Sequence, residues 1–177
     1  MLIYILIGVA VVIALLLLII ATRPSEFRIT RSATMSAPPS AVFPQVNDFH
    51  NWRAWSPWEN IDPNLQRTYD GPSAGTGAGY GWSGKKAGEG HMTITESRQY
   101  ELILIKLVFV KPFAATNTTE FTFQPQGGGT AVTWSMAGKH NFMGKAMGLV
   151  MNMDKMIGKS FDEGLAKLRA VVESKPA

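Results

Sequence analysis

Asp154 and His140 are the ionisable side chains placed where a reaction could be supported. Asp154 falls within an apolar stripe, four residues after Val150 and three before Ile157, so helical spacing points its carboxylate near a buried face. A buried carboxylate needs a partner or a raised pKa, and it would serve as an acid/base or as a polar anchor for a ligand. The alternative is local pairing with a lysine or a backbone N–H. His140 follows the last strand-like segment, where a loop could lean over an interior, and His91 opens a strand beside Glu89. Neither histidine has a second ligand at metal-binding spacing, so no metal site is expected. There is no cysteine, no Gly-x-Ser-x-Gly elbow and no P-loop; the glycines of "GTGAGYG" precede a strand and not a helix. These are candidates without a constellation, and no cofactor is expected.

The aromatic residues carry the stronger signal. "NWRAWSPWENID", residues 51–62, places Trp52, Trp55 and Trp58 within seven residues, three of the five tryptophans in the chain. On a short helix Trp52 and Trp55 share a face, and Pro57 turns the chain so that Trp58 can fold back toward it. Indoles suit a rim that is apolar below and wet above; the alternative is that they wedge a helix pair onto a sheet as core. Strand parity puts Val132, Trp134 and Met136 on one face and pairs Tyr80 with Trp82 and Phe121 with Phe123. Phe109 and Phe113 complete the aromatic candidates. Met143, Met147, Met151 and Met156 crowd a helical stripe whose thioethers would adapt to variable apolar partners or simply fill the core.

The elements that must position these residues follow from periodicity. "EFRITRSATMS" reads as a strand, and "APPSAVFPQVNDF" begins a helix with prolines in its first turn. The tryptophan segment is a second short helix ended by Pro57. "LQRTYDG" and "GAGYGWSG" are short strands around a glycine-rich turn at residues 71–79. Four longer strands follow with period two, "GHMTITESR", "YELILIKLVFV", "ATNTTEFTFQP" and "TAVTWSMAG", joined by short loops into an antiparallel meander. Within them Lys106 points outward while Ile105 and Leu107 face inward. Residues 142–172 then carry apolar positions at three and four, the pattern of one long amphipathic helix that would cover the sheet.

Residues 1–21 hold no charged side chain and are long enough at helical rise to cross the ~30 Å hydrocarbon layer. The basic residues come after the run and the cleavage site is poor, so an uncleaved anchor is expected in place of a secretory signal. Arg23, Arg28 and Arg31 flank the run on its C-terminal side, which places the remainder in the cytoplasm by the positive-inside rule. The expected organisation is a transmembrane helix at 1–22, a tether at 23–25 and one domain at 26–174. The net charge of +4 suits an anionic lipid surface or an ordinary solvated one.

The order of elements, with "NWRAWSPW", "KPFAATN", "GGGTAVTWSMAG" and "MDKMIGKSFDEGLAKL", resembles the SRPBCC superfamily and its polyketide cyclase/dehydrase-like branch across residues 26–173. The resemblance implies an α+β helix-grip fold: a curved antiparallel sheet wrapped around a long C-terminal helix, an apolar cavity between them, and two short helices after the first strand closing one end. It implies no particular ligand. Three functions are expected in descending order. The first is a membrane-anchored carrier or sensor of a hydrophobic small molecule or lipid. The second is a cyclase/dehydratase-type enzyme using Asp154 or His140. The third is an interaction module that regulates a membrane-protein partner, with the tryptophan segment as an exposed patch. The expected partners are the hydrophobic molecule and the membrane, not nucleic acid.

Overall fold

A computed structural model describes residues 1–150 and 152–174 of the chain. Helix α1, Leu2–Thr22, has none of its residues buried. It is long and apolar enough to be a candidate membrane span, and a signal sequence would look the same. At Arg23 the chain leaves the helix in an extended conformation.

The folded part begins with β1, Glu26–Met35, followed by α2, Pro39–Asn47, and a 3-10 turn at Phe49–Ala54. Pro39 sits in the first turn of α2, where a missing N–H costs nothing. Asp48 starts the 3-10 turn by accepting from the His50 N–H at 2.8 Å. Strands β2 (Gln66–Asp70), β3 (Gly79–Gly84), β4 (Gly88–Arg98), β5 (Leu102–Lys111), β6 (Ala115–Gln126) and β7 (Gly129–Lys139) then run as a meander. All neighbours are antiparallel, in the order β1-β7-β6-β5-β4-β3-β2. The glycine-rich turn before β3 needs glycine at Gly71, where φ is +73° and a Cβ would collide with the Gly77 carbonyl.

Alternation sorts the faces. Phe121 and Phe123 of β6 and Val132, Trp134 and Met136 of β7 are buried, whereas Lys106 of β5 is exposed beside the fully buried Ile105. That inner face would be wet without a cover. Helix α4, Met153–Glu173, supplies it with Phe161, Leu165, Leu168 and Val172, all buried. Gly164 lets α4 approach closely: a Cβ there would stand 2.8 Å from the Trp134 ring and 3.0 Å from Pro57. The result is the α+β helix-grip arrangement, a seven-stranded antiparallel sheet gripping one long helix.

The single helix expected over residues 142–172 is two helices. α3 spans Phe142–Val150, and α4 starts afresh at Asn152, whose side-chain oxygen accepts from the Lys155 N–H at 2.9 Å. An N-cap asparagine satisfies one of the free N–H groups of a new helix, and the two glycines of α3 offer little propensity to continue the old one. α3 turns away from the sheet and packs beside α1, where Lys145 Nζ donates to the Ala21 carbonyl at 3.2 Å.

Candidate ligand cavity

The tryptophan segment is held by its own N–H groups. Trp52 Nε1 donates to the Val46 carbonyl at 2.9 Å and Trp55 Nε1 to the Gln45 carbonyl at 3.0 Å. Both acceptors lie in the last turn of α2, where carbonyls lack intrahelical partners. The two indoles therefore clip the 3-10 turn back onto α2 and drive their rings, 4.7 Å apart, under the sheet. Trp58, past Pro57, sets its edge on Trp134 at 5.5 Å and Phe161 at 6.0 Å and stays 36% exposed.

Between these rings, the sheet and α4 lies a cavity of about 200 Å³. Trp52, Trp134 and Phe161 contribute aromatic walls, with Trp134 and Phe161 stacked at 4.1 Å. Tyr80, Trp82 and Phe109 contribute more from β3 and β5, and Met92, Leu107 and Met136 line the space between them. Trp82 lies over Gly90 so closely that a Cβ at Gly90 would collide with its ring. Trp58, Ile61, Leu65, Ala87 and Ile157 complete the apolar lining; Trp58 and Ile61 are also exposed to solvent, which puts the mouth beside them.

A few polar groups converge on this apolar space. Glu59 is buried, with Oε1 accepting from the Tyr80 hydroxyl at 2.8 Å and Oε2 accepting from Arg67 Nε at 2.7 Å. Arg67 also donates to the Glu59 and Leu65 carbonyls at 3.1 and 3.0 Å. Burial opposes charge on the Arg67 guanidinium, but the hydrogen bond and charge of Glu59 outweigh it and hold its pKa above the ordinary value. Burial, reinforced by the bond to Glu59, pushes the Tyr80 hydroxyl up, so it stays neutral and keeps its proton for the carboxylate. The Tyr80 oxygen retains lone pairs that can accept from a ligand. Trp134 is 1% exposed and its Nε1–H finds no acceptor among the described residues. Thr119 and Ser56, both buried, also line the cavity.

Asp62 ties the mouth together. Its carboxylate accepts from the Asn64 N–H at 3.0 Å and the Lys86 N–H at 2.8 Å, joining the loop that carries Ile61 and Leu65 to the β3–β4 turn that carries Ala87. These bonds, that from Lys86 foremost, hold its pKa below the usual carboxylate range.

Of the cavity residues expected from sequence, the structure brings together Trp52, Trp58, Tyr80, Trp82, Phe109, Trp134 and Met136. Others lie elsewhere for identifiable reasons. Trp55 and Phe121 are core behind the wall, packed on Trp134 at 5.7 and 4.8 Å. Phe123 is buried toward the opposite end of the sheet, against Phe43. Phe113 is 56% exposed in the β5–β6 turn, where strand parity no longer applies. Met143 and Met147 belong to α3, which leaves the sheet, and Met143 is exposed; Met151 lies outside the described residues. With Trp52 and Trp55 buried, the tryptophan segment is not the exposed patch that the interaction-module reading required.

The two acid/base candidates are also away from the cavity. Asp154 keeps the face of the stripe, seven residues before Phe161, but lies in the first turn of α4, where it is exposed and pairs with Arg31 of β1 at 3.2 Å. The partner is an arginine from a strand and not a nearby lysine or backbone N–H. His140 stacks on Phe27 at 4.5 Å, and its backbone N–H donates to the Ser25 carbonyl at 2.6 Å. Both border a separate groove between the start of β1 and α3. Sequence reasoning missed Glu59, Arg67 and Asp62. The one available signal was a carboxylate directly after Trp58, inside a segment otherwise committed to burial.

Solved structures with the same fold are numerous, and their low identities make them evidence of fold alone. A protein from Chromobacterium violaceum superposes with a TM-score of 0.60 at 17% identity, covering 86% of this chain and 100% of its own. A protein of unknown function from Staphylococcus aureus does so at 0.63 and 10% identity, covering 86% and 96%. DynU16, from the dynemicin biosynthetic locus, superposes at 0.59 and 12% identity, covering 83% of this chain and 47% of its own. No curated protein sequence matches. The model of one family, however, aligns with residues 26–173, the whole sheet and α4. The chain thus belongs to the polyketide cyclase / dehydrase and lipid transport family, whose members support hydrophobic ligand binding in general terms.

Proposed function

We propose that this protein is a membrane-anchored carrier or sensor that holds one small, mostly apolar molecule in the cavity between sheet and α4. The observation that carries the reading is the cavity itself: a closed ring of Trp, Tyr, Phe and Met side chains with a few convergent polar groups, the usual make-up of a small-molecule site. Its volume sets the size of the ligand. About 200 Å³ exceeds the roughly 150 Å³ that accepts benzene, and lies below the roughly 300 Å³ at which drug-sized pockets begin. One or two rings or a short acyl chain fit; a two-chain phospholipid does not. Tyr80 offers an acceptor and Trp134 an unpartnered donor, so a ligand with a hydroxyl and a carbonyl would satisfy both. The apolar α1 would anchor the protein, with Arg23, Arg28 and Arg31 retaining the domain in the cytoplasm.

Native mass spectrometry of the full chain released from its membrane tests the reading. A small adduct that survives detergent removal is expected, and it should be lost from an Ile157→Trp variant, in which the added indole occupies the cavity. Absence of any adduct, or one with the mass of a two-chain phospholipid, would contradict it. Acid/base turnover of the same ligand is the second reading, favoured only by the Glu59–Tyr80 pair inside the cavity. Against it, both Glu59 oxygens are already engaged.

A further inference from the structure

We infer that the domain rests mouth-down on the bilayer, with the β5–β6 turn and α3 inserted into its interface, so that ligand passes between lipid and cavity without crossing bulk water. The inference rests on the anchor reading of α1 and adds an orientation to it. Strand register defines the two ends of the sheet. Glu26 pairs with Lys139, Ala115 with Phe109, Gly88 with Gly84 and Gln66 with Ser83, so the end at which the chain enters from α1 also collects the β3–β4 and β5–β6 turns. The cavity lies at this same end, lined by Leu65, Trp82, Ala87 and Phe109.

Exposure is distributed with the same polarity. Val110 and Phe113 at the β5–β6 turn, Phe142, Met143 and Leu149 of α3, and Met156 at the start of α4 are all exposed. Trp58 and Ile61 at the mouth are exposed as well, and of the large apolar side chains that the described residues of the folded domain leave exposed, only Tyr100 lies at the opposite end. So one-sided a distribution marks a surface with a non-aqueous partner. Distance identifies that partner. The tether of residues 23–25 spans at most about 10 Å, and α3 is bound directly to the end of α1 through Lys145 Nζ on the Ala21 carbonyl at 3.2 Å. The His140 N–H on the Ser25 carbonyl fixes the start of α3 to the tether. If α1 spans the hydrocarbon, α3 lies in the headgroup layer just outside it. α3 contains no acidic residue, and the β3–β4 turn at the same end exposes Lys85 and Lys86, which suits anionic headgroups.

The chain has no cysteine, so single cysteines report cleanly. Spin labels at Phe113→Cys, Met143→Cys, Gln99→Cys and Leu16→Cys, each in the full chain reconstituted into phosphatidylcholine/phosphatidylglycerol vesicles, would be exposed in turn to oxygen and to an aqueous nickel complex. Phe113, Met143 and Gln99 are exposed, so these substitutions leave the core intact. Positions 113, 143 and 16 should be accessible to oxygen and shielded from nickel, and position 99 the reverse. Nickel access at 113 or 143 with position 16 still shielded would overturn the orientation while sparing the anchor. Nickel access at position 16 would remove the anchor and the orientation together. Shielding of 113 and 143 from both agents would place a second copy of the chain on this face and overturn the assignment to lipid.

Discussion

Replacing Arg67 by alanine should damage the protein far more than the loss of a surface charge would. The substitution deletes the donor to Glu59 Oε2 at 2.7 Å and the donors to the Glu59 and Leu65 carbonyls. Glu59, whose side chain is 6% exposed, is left with the Tyr80 hydroxyl alone. Breaking a fully buried ion pair from one side costs about 3–5 kcal/mol. The Arg67 side chain is 22% exposed, so water can enter its place and lower the cost to about 2–4 kcal/mol. For a domain of this size that is a fall of about 10 °C in Tm. No residue of α1 is buried, so urea or thermal unfolding of residues 24–177 without α1 is a suitable assay. The cycle with Glu59→Gln isolates the pair: Arg67→Ala should cost about 1–2 kcal/mol less when the carboxylate has already been replaced by the neutral amide. A loss below about 0.5 kcal/mol, the range of exposed pairs, or zero coupling would refute the view that this pair holds the cavity wall.

Three further outcomes are expected. Asp62 has a depressed folded pKa, so the unfolded chain takes up its proton first on acidification; its contribution is present above about pH 3.9 and is lost as pH falls through the folded value. Asp62→Asn should therefore flatten the acid limb of a stability–pH profile, and an unchanged limb would remove Asp62 as the clasp of the mouth. Tyr80 is shifted the other way, so its contribution is complete below about pH 10 and declines as pH rises above that, a decline that Tyr80→Phe should abolish. Trp134→Phe removes an N–H that has no partner among the described residues and leaves a gap among the rings packed on it, at a cost of about 1–3 kcal/mol of stability; a carbonyl-bearing ligand should lose about 0.5–1.5 kcal/mol more affinity than one without an acceptor. Equal losses for a ligand without an acceptor would show that ring area alone is at work.

The parts of the fold that could be read in the sequence are those governed by a local period. Alternation places Trp134 and Met136 inward and Lys106 outward, and the stripe Phe161, Leu165, Leu168 and Val172 covers the sheet. Parity names a face but not a position along the sheet or which ring lies in front, which is why Phe123 falls beyond the cavity and Phe121, opposite Trp134 in register, is covered by the Trp134 ring stacked on it. The helical period likewise runs on through Asn152 without registering that this residue caps a new helix, so it puts the α3 methionines on a face they do not occupy, and it cannot tell that Asp154, though on the stripe's face, sits in an exposed first turn beside Arg31. Glu59 and Arg67 are eight residues apart on different elements, and only the approach of β2 to the loop after the tryptophans makes them a pair. Such pairings depend on tertiary contact and leave no periodic trace.

The cavity is the central claim, and titration of a small two-ring aminonaphthalene probe, within the size the cavity admits, into residues 24–177 tests it most directly. Trp52, Trp82 and Trp134 surround the space and would pass excitation to a bound probe, so tryptophan emission should fall as sensitised probe emission rises, saturating at one equivalent. Ile157→Trp, which fills the cavity from α4, should abolish saturable transfer while the domain still unfolds cooperatively. Saturable transfer that persists at full amplitude and affinity in Ile157→Trp would place the ligand elsewhere and contradict the account.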